Sequence, residues 1–164
     1  MISKKIFLIG MMGCGKTTLG KKLSNILNLP FIDIDSEIEK KEKKSIENIF
    51  KENGETYFRT LEKKTLKEIN YFYTSGIIST GGGIILDDEN FNILKNEYTI
   101  FLYVSISELK KRLEKDTKRP LLKNKNIINI WEERKSLYNS FKKVNLSGLT
   151  INSSLEKLLK EIIN

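Results

Sequence analysis

The sequence predicts an α/β fold in three layers, with a parallel β-sheet enclosed between two layers of helices. The first observation behind this prediction is that short apolar runs alternate with longer helical patterns along the 164 residues, which is typical of parallel sheets. The second is that no linker composition or internal repeat divides the chain. We therefore expect residues 1–164 to form one domain, large enough to bury a substantial core.

The first strand is expected at residues 5–10, KIFLIG, because this short apolar run ends in glycine. Residues 16–28 carry leucine and isoleucine at helical spacing. Pro30 ends that helix, since the residue before a proline avoids helical backbone angles. The run FIDI, residues 31–34, predicts the second strand.

Residues 36–72 show a long polar pattern that is mostly helical. Ser45 is a candidate N-cap for the part that begins with IENIF. Asn53 and Gly54 interrupt the pattern, as a helix end followed by a new start would. The third strand is expected at GIIS, residues 76–79, which follows the turn signal TSG.

Asp87 is a candidate N-cap for a helix that precedes the fourth strand. That strand is expected at YTIFLYVS, residues 98–105, the longest β-like run of the chain. Ser107 is a candidate N-cap for the helix that follows it. Residues 116–126, DTKRPLLKNKN, have no periodicity and predict a mobile loop.

The last part of the chain returns to a helical pattern over residues 127–141. LTIN, residues 149–152, is a weak candidate for the fifth strand. Residues 153–163, SSLEKLLKEII, predict an amphipathic final helix.

The composition excludes several classes of protein. Hydrophobic residues make up 39% and charged residues 30% of the chain, which fits a globular enzyme and is too apolar for disorder. The single cysteine, Cys14, excludes an internal disulfide. Because the chain has no histidine, acid–base chemistry must fall to Asp, Glu, Lys or Tyr.

The sequence favours a cytoplasmic protein without a membrane partner. No apolar run approaches the ~18 residues that a membrane span needs. The apolar run near the N-terminus follows two lysines, as in a signal peptide. However, no small-residue cleavage site follows it, and the run leads directly into a glycine motif that the mature protein would need.

The net charge of +8 raises the alternative of a nucleic-acid partner. The lysines are scattered and mixed with glutamates, as in EKKEKK at residues 39–44. No helix-turn-helix, zinc or ribonucleoprotein pattern accompanies them. We therefore expect no nucleic-acid partner.

A phosphate-binding loop is the strongest motif of the sequence. GMMGCGKT, residues 10–17, matches G-x-x-x-x-G-K-[ST] between a predicted strand and a predicted helix. Its glycines let backbone N–H groups and the N-terminus of the helix face phosphate oxygens. A chance match is expected in roughly one chain in a hundred or fewer at this length.

Two side chains of this motif have expected roles in binding ATP and Mg²⁺. Lys16 would reach the β- and γ-phosphates, and the Thr17 hydroxyl would bind Mg²⁺, which keeps water and phosphate as its other ligands. Cys14 fills a position for a small residue. The residues expected to contact the nucleotide are Gly13, Cys14, Gly15, Lys16 and Thr17 of the motif, and Thr18 directly after it.

Two carboxylates, Asp33 and Asp35, are expected at the carboxyl end of the second strand. Their two-residue spacing places both on one side of an extended backbone, at the sheet edge where ligands bind. One could hold Mg²⁺ through water, and the other could orient or deprotonate a hydroxyl group. The alternative for Asp35 is that it caps the next helix.

Three arginines are candidates whose roles the residues alone leave open. Arg59 lies three residues before Glu62 in GETYFRTLE, which is also the spacing of a solvated ion pair. Arg134 on a later helix is equally compatible with a surface charge. Arg119 in RPLL could reach a transferring phosphoryl group from the predicted mobile loop, or remain solvated there.

The three glycines of STGGG, residues 79–83, follow the third strand and so reach the same sheet edge as the phosphate loop. Bare backbone at that position lets a substrate approach closely and offers N–H donors to its oxygens. The alternative is a simple turn.

Taken in order, these motifs resemble those of the shikimate kinases, which are P-loop kinases of the nucleoside-monophosphate-kinase type. The matching segments cover nearly the whole chain at family-like spacing: GMMGCGKT, FIDID, GETYFRTLE, STGGG, RPLL and ERKSLY. The phosphate loop alone is shared with many kinases, whereas the ordered set is far more specific.

The resemblance implies ATP-dependent phosphorylation of the 3-hydroxyl group of shikimate, which gives shikimate 3-phosphate and ADP in aromatic amino-acid (chorismate) biosynthesis. It implies a five-stranded parallel sheet in the order 2-3-1-4-5, an acceptor-binding region at about residues 33–62, a mobile lid at about residues 116–126, and a monomer.

The resemblance also implies roles for individual residues. The expected acceptor contacts are Asp33, Asp35, Arg59, Gly81, Gly82 and Arg134, with the two arginines on the substrate carboxylate and Asp35 on the reacting hydroxyl. Asp33 is expected near Mg²⁺, Arg119 on the phosphates and Arg112 against adenine. Many relatives carry a proline after the last strand, where this chain reads NSSLE.

Two other functions remain open. The first is a P-loop kinase for another small acceptor, either gluconate or a nucleoside monophosphate. A two-arginine clamp argues against a nucleotide, whereas gluconate also carries a carboxylate. The second is a non-catalytic ATP-binding or nucleic-acid-associated module, in which the paired aspartates and Arg119 would have no purpose.

Overall fold

A computed structural model of the protein describes residues 5–114 and 126–163. The predicted mobile lid at residues 116–126, and with it Arg119, lies outside this part except for Asn126. Within the described ranges, no helix is both long and apolar enough to cross a membrane.

The centre of the fold is a five-stranded sheet in which every pair of neighbouring strands is parallel, in the order β2-β3-β1-β4-β5. This confirms the predicted fold class and strand order. The strands are β1 (Lys5–Ile9), β2 (Phe31–Asp33), β3 (Gly76–Ser79), β4 (Tyr98–Tyr103) and β5 (Lys142–Asn145).

Helices cover both faces of this sheet. The side chains of β1 alternate between the two faces, and four consecutive residues, Ile6 to Ile9, are fully buried. The helices are α1 (Lys16–Leu27), α2 (Ile34–Glu42), α3 (Ile46–Phe72), α4 (Asp88–Asn96), α5 (Ile106–Leu113), α6 (Ile127–Tyr138) and α7 (Ile151–Ile163), with a 3-10 turn at Ile84–Leu86.

Several local predictions are confirmed by the backbone. Gly54 has φ 81° and ψ 174°, so α3 is two helical segments joined at a kink. The Ser45 side chain accepts a hydrogen bond from Asn48 N at 3.2 Å. Asp87 caps α4 by accepting from the backbone N–H groups of Glu89 and Asn90.

The fifth strand was predicted in the wrong place. LTIN, residues 149–152, is not a strand, and its last two residues begin α7. The actual strand, KKVN at residues 142–145, buries only Val144 because it pairs with β4 alone at the edge of the sheet. An exposed edge strand needs no apolar run, so its sequence carries little strand signal.

Two predictions at helix starts were also wrong. Ser107 lies in the first turn of α5, and the N-cap position is Ser105. Asp35 is not on β2, because that strand ends at Asp33 and α2 begins at Ile34. The two carboxylates are therefore placed by the start of a helix rather than by the alternation of a strand.

Candidate active site

The phosphate loop, residues 10–17, joins the buried end of β1 to the first turn of α1. Gly13 and Gly15 have φ values of 80° and 100°, which side chains other than glycine rarely adopt. A Cβ at Gly10 would lie 2.6 Å from Leu102 O and 2.8 Å from Cys14 Sγ. The loop can therefore take this shape only with glycine at these positions.

Lys16 begins α1, and its side chain folds back into the loop. Only 8% of the residue is exposed. Its ammonium group donates to Gly10 O at 2.7 Å and to Met11 O at 3.0 Å. Because these two acceptors are neutral, the loop keeps a positive charge beside the N-terminus of α1, an arrangement that favours phosphate.

Thr17, Asp33 and Ser79 bring three oxygen atoms together between α1, β2 and β3. Thr17 Oγ1 donates to Asp33 Oδ2 at 2.9 Å and lies 3.5 Å from Ser79 Oγ. The second Asp33 oxygen, Oδ1, accepts from Ser36 N and so caps α2. The helix cap is therefore Asp33, and the capping alternative for Asp35 was wrong.

Ser79 was missed by the sequence analysis as a site residue. Its signal was present in STGGG, since Ser79 is the last residue of β3 and only Thr80 separates it from the glycines. The pairing of Leu8 with Ser79 places it beside the end of β1, from which the phosphate loop starts.

Asp35 lies in the first turn of α2 and is half-buried. Its Oδ1 atom is buried and finds no hydrogen-bond partner among the described residues. Burial, together with the nearby Glu62 and Asp33 carboxylates, raises the pKa of the Asp35 carboxyl to about 7, although Lys16 and Arg59 act in the opposite direction. This carboxyl group is thus poised to exchange a proton near neutral pH.

Arg59 and Glu62 form a buried ion pair on α3 rather than a solvated one. Glu62 is completely buried, and its Oε2 accepts from Arg59 Nη1 at 2.8 Å. Arg59 Nη2 also pairs with Glu55 at 3.1 Å. Burial raises the pKa of Glu62, although Arg59 and Arg134 act in the opposite direction.

Arg134 on α6 is also buried, with 3% of the residue exposed, so its interpretation as a surface charge was wrong. Its Nη1 donates to Gly82 O at 2.9 Å. Its Nε is buried without a hydrogen-bond partner in the described part of the chain. Tyr138, one helical turn later, donates its hydroxyl proton to the same Gly82 oxygen; the sequence analysis missed this residue.

Each glycine of the triplet has a different neighbour. A Cβ at Gly81 would lie 2.5 Å from Glu62 Oε1, and one at Gly83 would lie 2.6 Å from Arg59 Nη1. A Cβ at Gly82 would meet no heavy atom closer than 3.4 Å. The outer glycines therefore make room for the Arg59–Glu62 ion pair, whereas a Cβ at the middle one would be in ordinary van der Waals contact with the backbone of the phosphate loop.

Nine of the predicted residues line one cleft of about 430 Å³ at the carboxyl edge of the sheet. Arg59 and Arg134 support its glycine wall. The cleft is lined by Met12, Gly13, Gly15, Lys16, Thr17, Thr18, Asp33, Asp35, Ser36, Thr80, Gly81 and Gly82.

A second pocket of about 350 Å³ lies on the other side of the phosphate loop. Arg112 contributes to its wall, donating to Gly13 O at 3.1 Å and forming an ion pair with Glu108. Its remaining lining is mostly apolar and includes Leu146, Leu149 and Ile151. Flat apolar walls beside a phosphate loop suit the base of a nucleotide.

Comparison with known proteins agrees with this arrangement. A family model described as shikimate kinase matches residues 12–164. The bifunctional shikimate kinase/3-dehydroquinate synthase of Thermotoga maritima is 46% identical over 147 residues, covering 88% of this chain and 30% of that protein. The chain thus spans less than a third of that relative's length.

Two further comparisons extend over whole chains. The shikimate kinase of Sulfurihydrogenibium sp. (strain YO3AOP1) is 40% identical over 163 residues, covering 97% of this chain and 98% of its own. The solved shikimate kinase from Acinetobacter baumannii in complex with shikimate superposes with a TM-score of 0.91 at 31% identity, covering 99% of this chain and 94% of that one. The chain belongs to the shikimate kinase family.

Proposed function

We propose that this protein transfers the γ-phosphoryl group of ATP to the 3-hydroxyl group of shikimate, giving shikimate 3-phosphate and ADP. The proposal treats residues 1–164 as one kinase domain. The observation that carries it is the placement of two arginines, the half-buried Arg59 and the buried Arg134, against the glycine wall of the cleft. The relative solved in complex with shikimate supports the choice of acceptor.

The two arginines provide the recognition of an acceptor carboxylate. Arg134 keeps its Nε buried without a hydrogen-bond partner among the described residues, and a buried cationic group without an acceptor is costly. Arg59 shares its guanidinium between Glu62 and Glu55. Planar guanidinium groups bind carboxylates through paired hydrogen bonds, which a lysine cannot match.

Asp35 is the group that we assign to the reacting hydroxyl. Its pKa of about 7 lets the carboxylate accept the hydroxyl proton as the oxygen attacks the γ-phosphorus. Lys16 and the N–H groups of the phosphate loop stabilise the charge on the transferring group, and Gly82 offers its N–H to the acceptor. Phosphoryl transfer depends mainly on such positioning and charge stabilisation.

Three hydroxyl and carboxylate oxygens fit a Mg²⁺ site, those of Thr17, Asp33 and Ser79. Among residues 5–114 and 126–163, no group of three His, Cys, Asp or Glu could enclose a metal. This donor set therefore suits an ion that takes its other ligands from water and phosphate, as Mg²⁺ does. Bound there, Mg²⁺ would neutralise charge on the phosphates, with Thr17 binding directly and Asp33 through water.

The nucleotide is assigned to the phosphate loop and the second pocket. Gly13, Cys14, Gly15 and Thr18 would contact its phosphates and sugar, and Arg112 would lie against the adenine base. Arg119 stays a prediction for the phosphates, because it lies outside the described residues. We further infer a cytoplasmic monomer that acts on small molecules, without a nucleic-acid or membrane partner.

The test is acceptor-dependent release of ADP from ATP and Mg²⁺, compared between shikimate, gluconate and nucleoside monophosphates. We expect release with shikimate alone. Release with gluconate and not with shikimate would replace the proposal with a kinase for another small acid. ATP binding without release of ADP for any acceptor would instead indicate a non-catalytic module.

A further inference from the structure

The carbonyl oxygen of Gly82 accepts two hydrogen bonds from one face of α6. Arg134 Nη1 donates at 2.9 Å, and the hydroxyl of Tyr138 donates from the next turn of the helix. The two residues are four positions apart, which places both side chains on the same face. Because a carbonyl oxygen has two lone pairs, these donors fill its capacity.

The ring of Tyr138 is held in place independently of this hydrogen bond. Only 1% of the residue is exposed. Its ring stacks on Phe101 of β4 with centroids 4.8 Å apart and planes 10° apart. Trp131 lies nearly parallel to it, with a centroid distance of 6.4 Å. Aromatic packing therefore fixes where the hydroxyl can reach, and the Gly82 carbonyl is at that point.

We propose that Tyr138 is a positioning residue for the acceptor site, which holds the Gly82 carbonyl so that Arg134 is free to bind the acceptor carboxylate. The inference rests on the proposed function, since it assigns Arg134 and Gly82 to the acceptor. The N–H of Arg134 that donates to the carbonyl is not available to a carboxylate at the same time. When the guanidinium turns to the ligand, Tyr138 keeps the glycine wall in its binding conformation.

Removal of the hydroxyl should therefore create a competition that the wild-type protein avoids. In Tyr138→Phe, Arg134 becomes the remaining side-chain donor to Gly82 O. If Arg134 then binds the acceptor, the Gly82 carbonyl loses its last side-chain donor. If Arg134 instead stays on the carbonyl, the acceptor loses the contact with this guanidinium. The loss of about one hydrogen bond predicts a rise in the KM for shikimate of about 2- to 12-fold.

Tyr98→Phe is a matched control. The Tyr98 hydroxyl also donates to a backbone carbonyl, that of Glu161, at 2.9 Å. Tyr98 is the first residue of β4, so it lies at the opposite edge of the sheet from the phosphate loop. Both variants lose one hydroxyl group and keep the aromatic ring. Only Tyr138→Phe removes a hydrogen bond to a residue that lines the cleft.

The experiment combines steady-state kinetics with hydrogen exchange of the free proteins. We expect Tyr138→Phe to raise the KM for shikimate, to leave the KM for ATP within about twofold, and to speed amide exchange in residues 81–86. Tyr98→Phe should do none of these. An unchanged KM for shikimate, or an equal rise in both KM values, would overturn the inference.

The same measurements separate this inference from the proposed function. If the wild-type protein releases no ADP with shikimate, the proposed function fails and the acceptor role of Tyr138 fails with it. If wild type is active and Tyr138→Phe matches Tyr98→Phe in KM and in exchange, the inference alone fails.

Discussion

Asp35→Asn is expected to stabilise the free protein while it lowers activity. The Asp35 carboxyl is partly withdrawn from water, its Oδ1 has no hydrogen-bond partner among the described residues, and two other carboxylates lie near it. A neutral amide at this position removes the repulsion with Glu62 and Asp33. It also removes the acceptor for the hydroxyl proton, so kcat should fall by about 100-fold or more.

The size of the stabilisation follows from the pKa. Burial and the neighbouring carboxylates raise the pKa of Asp35 from 3.8 to about 7. Three pH units correspond to about 4 kcal/mol, as an upper limit, at about 1.4 kcal/mol per unit. The folded protein prefers the protonated form, so the stability that Asp35 contributes is complete below about pH 4 and is lost as the pH rises to about 7.

The assay is urea unfolding of both proteins without ligands between about pH 5 and about pH 8. Because proton binding and folding are linked, the free energy of unfolding of Asp35→Asn should exceed that of wild type by an amount that grows by about 2 to 3 kcal/mol across this interval. Asp87→Asn is the control, because ion pairing with Lys63 and the backbone N–H groups that it caps lower the pKa of Asp87 against the effect of burial. Asp87 takes up its proton only below about pH 4. The difference in the free energy of unfolding between Asp87→Asn and wild type should therefore stay constant over the same interval.

A pH-independent difference between wild type and Asp35→Asn would refute the reasoning. It would mean that Asp35 stays ionised throughout the interval, and that burial and Glu62 do not set its proton affinity. A large rise in stability with pH for Asp87→Asn would point to a global effect of pH rather than to the cleft.

Three further substitutions test the other parts of the site. Lys16→Ala should abolish measurable turnover, because it removes the cation of the phosphate loop; activity retained within tenfold would contradict that role. Arg59→Lys should raise the KM for shikimate by about 10- to 100-fold, or about 1.4 to 2.7 kcal/mol, with the KM for ATP nearly unchanged; the reverse pattern in kinetics would remove Arg59 from the acceptor clamp. Gly82→Val should abolish shikimate binding in calorimetry while ATP still binds, since a Cβ at Gly82 would make only ordinary van der Waals contacts in the free protein. Normal shikimate affinity of this variant would mean that the glycine triplet is a simple turn.

The phosphate loop, the buried strands and the strand order were predictable because their signals are local or form an ordered set. Glycine at positive φ, a lysine and a threonine at fixed spacing specify a phosphate loop wherever they occur after a buried strand. The strand GIIS was predicted with its correct bounds, since both of its faces are covered and every residue must be apolar or small.

The edge of the sheet and the environment of the charged residues were not predictable in the same way. Nothing within KKVN marks it as a strand, because its pairing with β4 supplies the structure. Spacing placed Arg59 three residues from Glu62 but could not show that Glu62 is completely buried. Burial depends on what other elements of the chain pack over a residue, and those elements lie far away in sequence.

The sequence by itself therefore determined which residues are available to the cleft, and through the family resemblance it indicated their roles. Only the tertiary structure decided how they act on one another. It placed Asp35 on a helix, aimed Arg134 and Tyr138 at one carbonyl, and gave each glycine of the triplet a different neighbour. The physical reason is that pKa values and hydrogen-bond partners depend on distance and burial in space, which spacing along the chain does not encode.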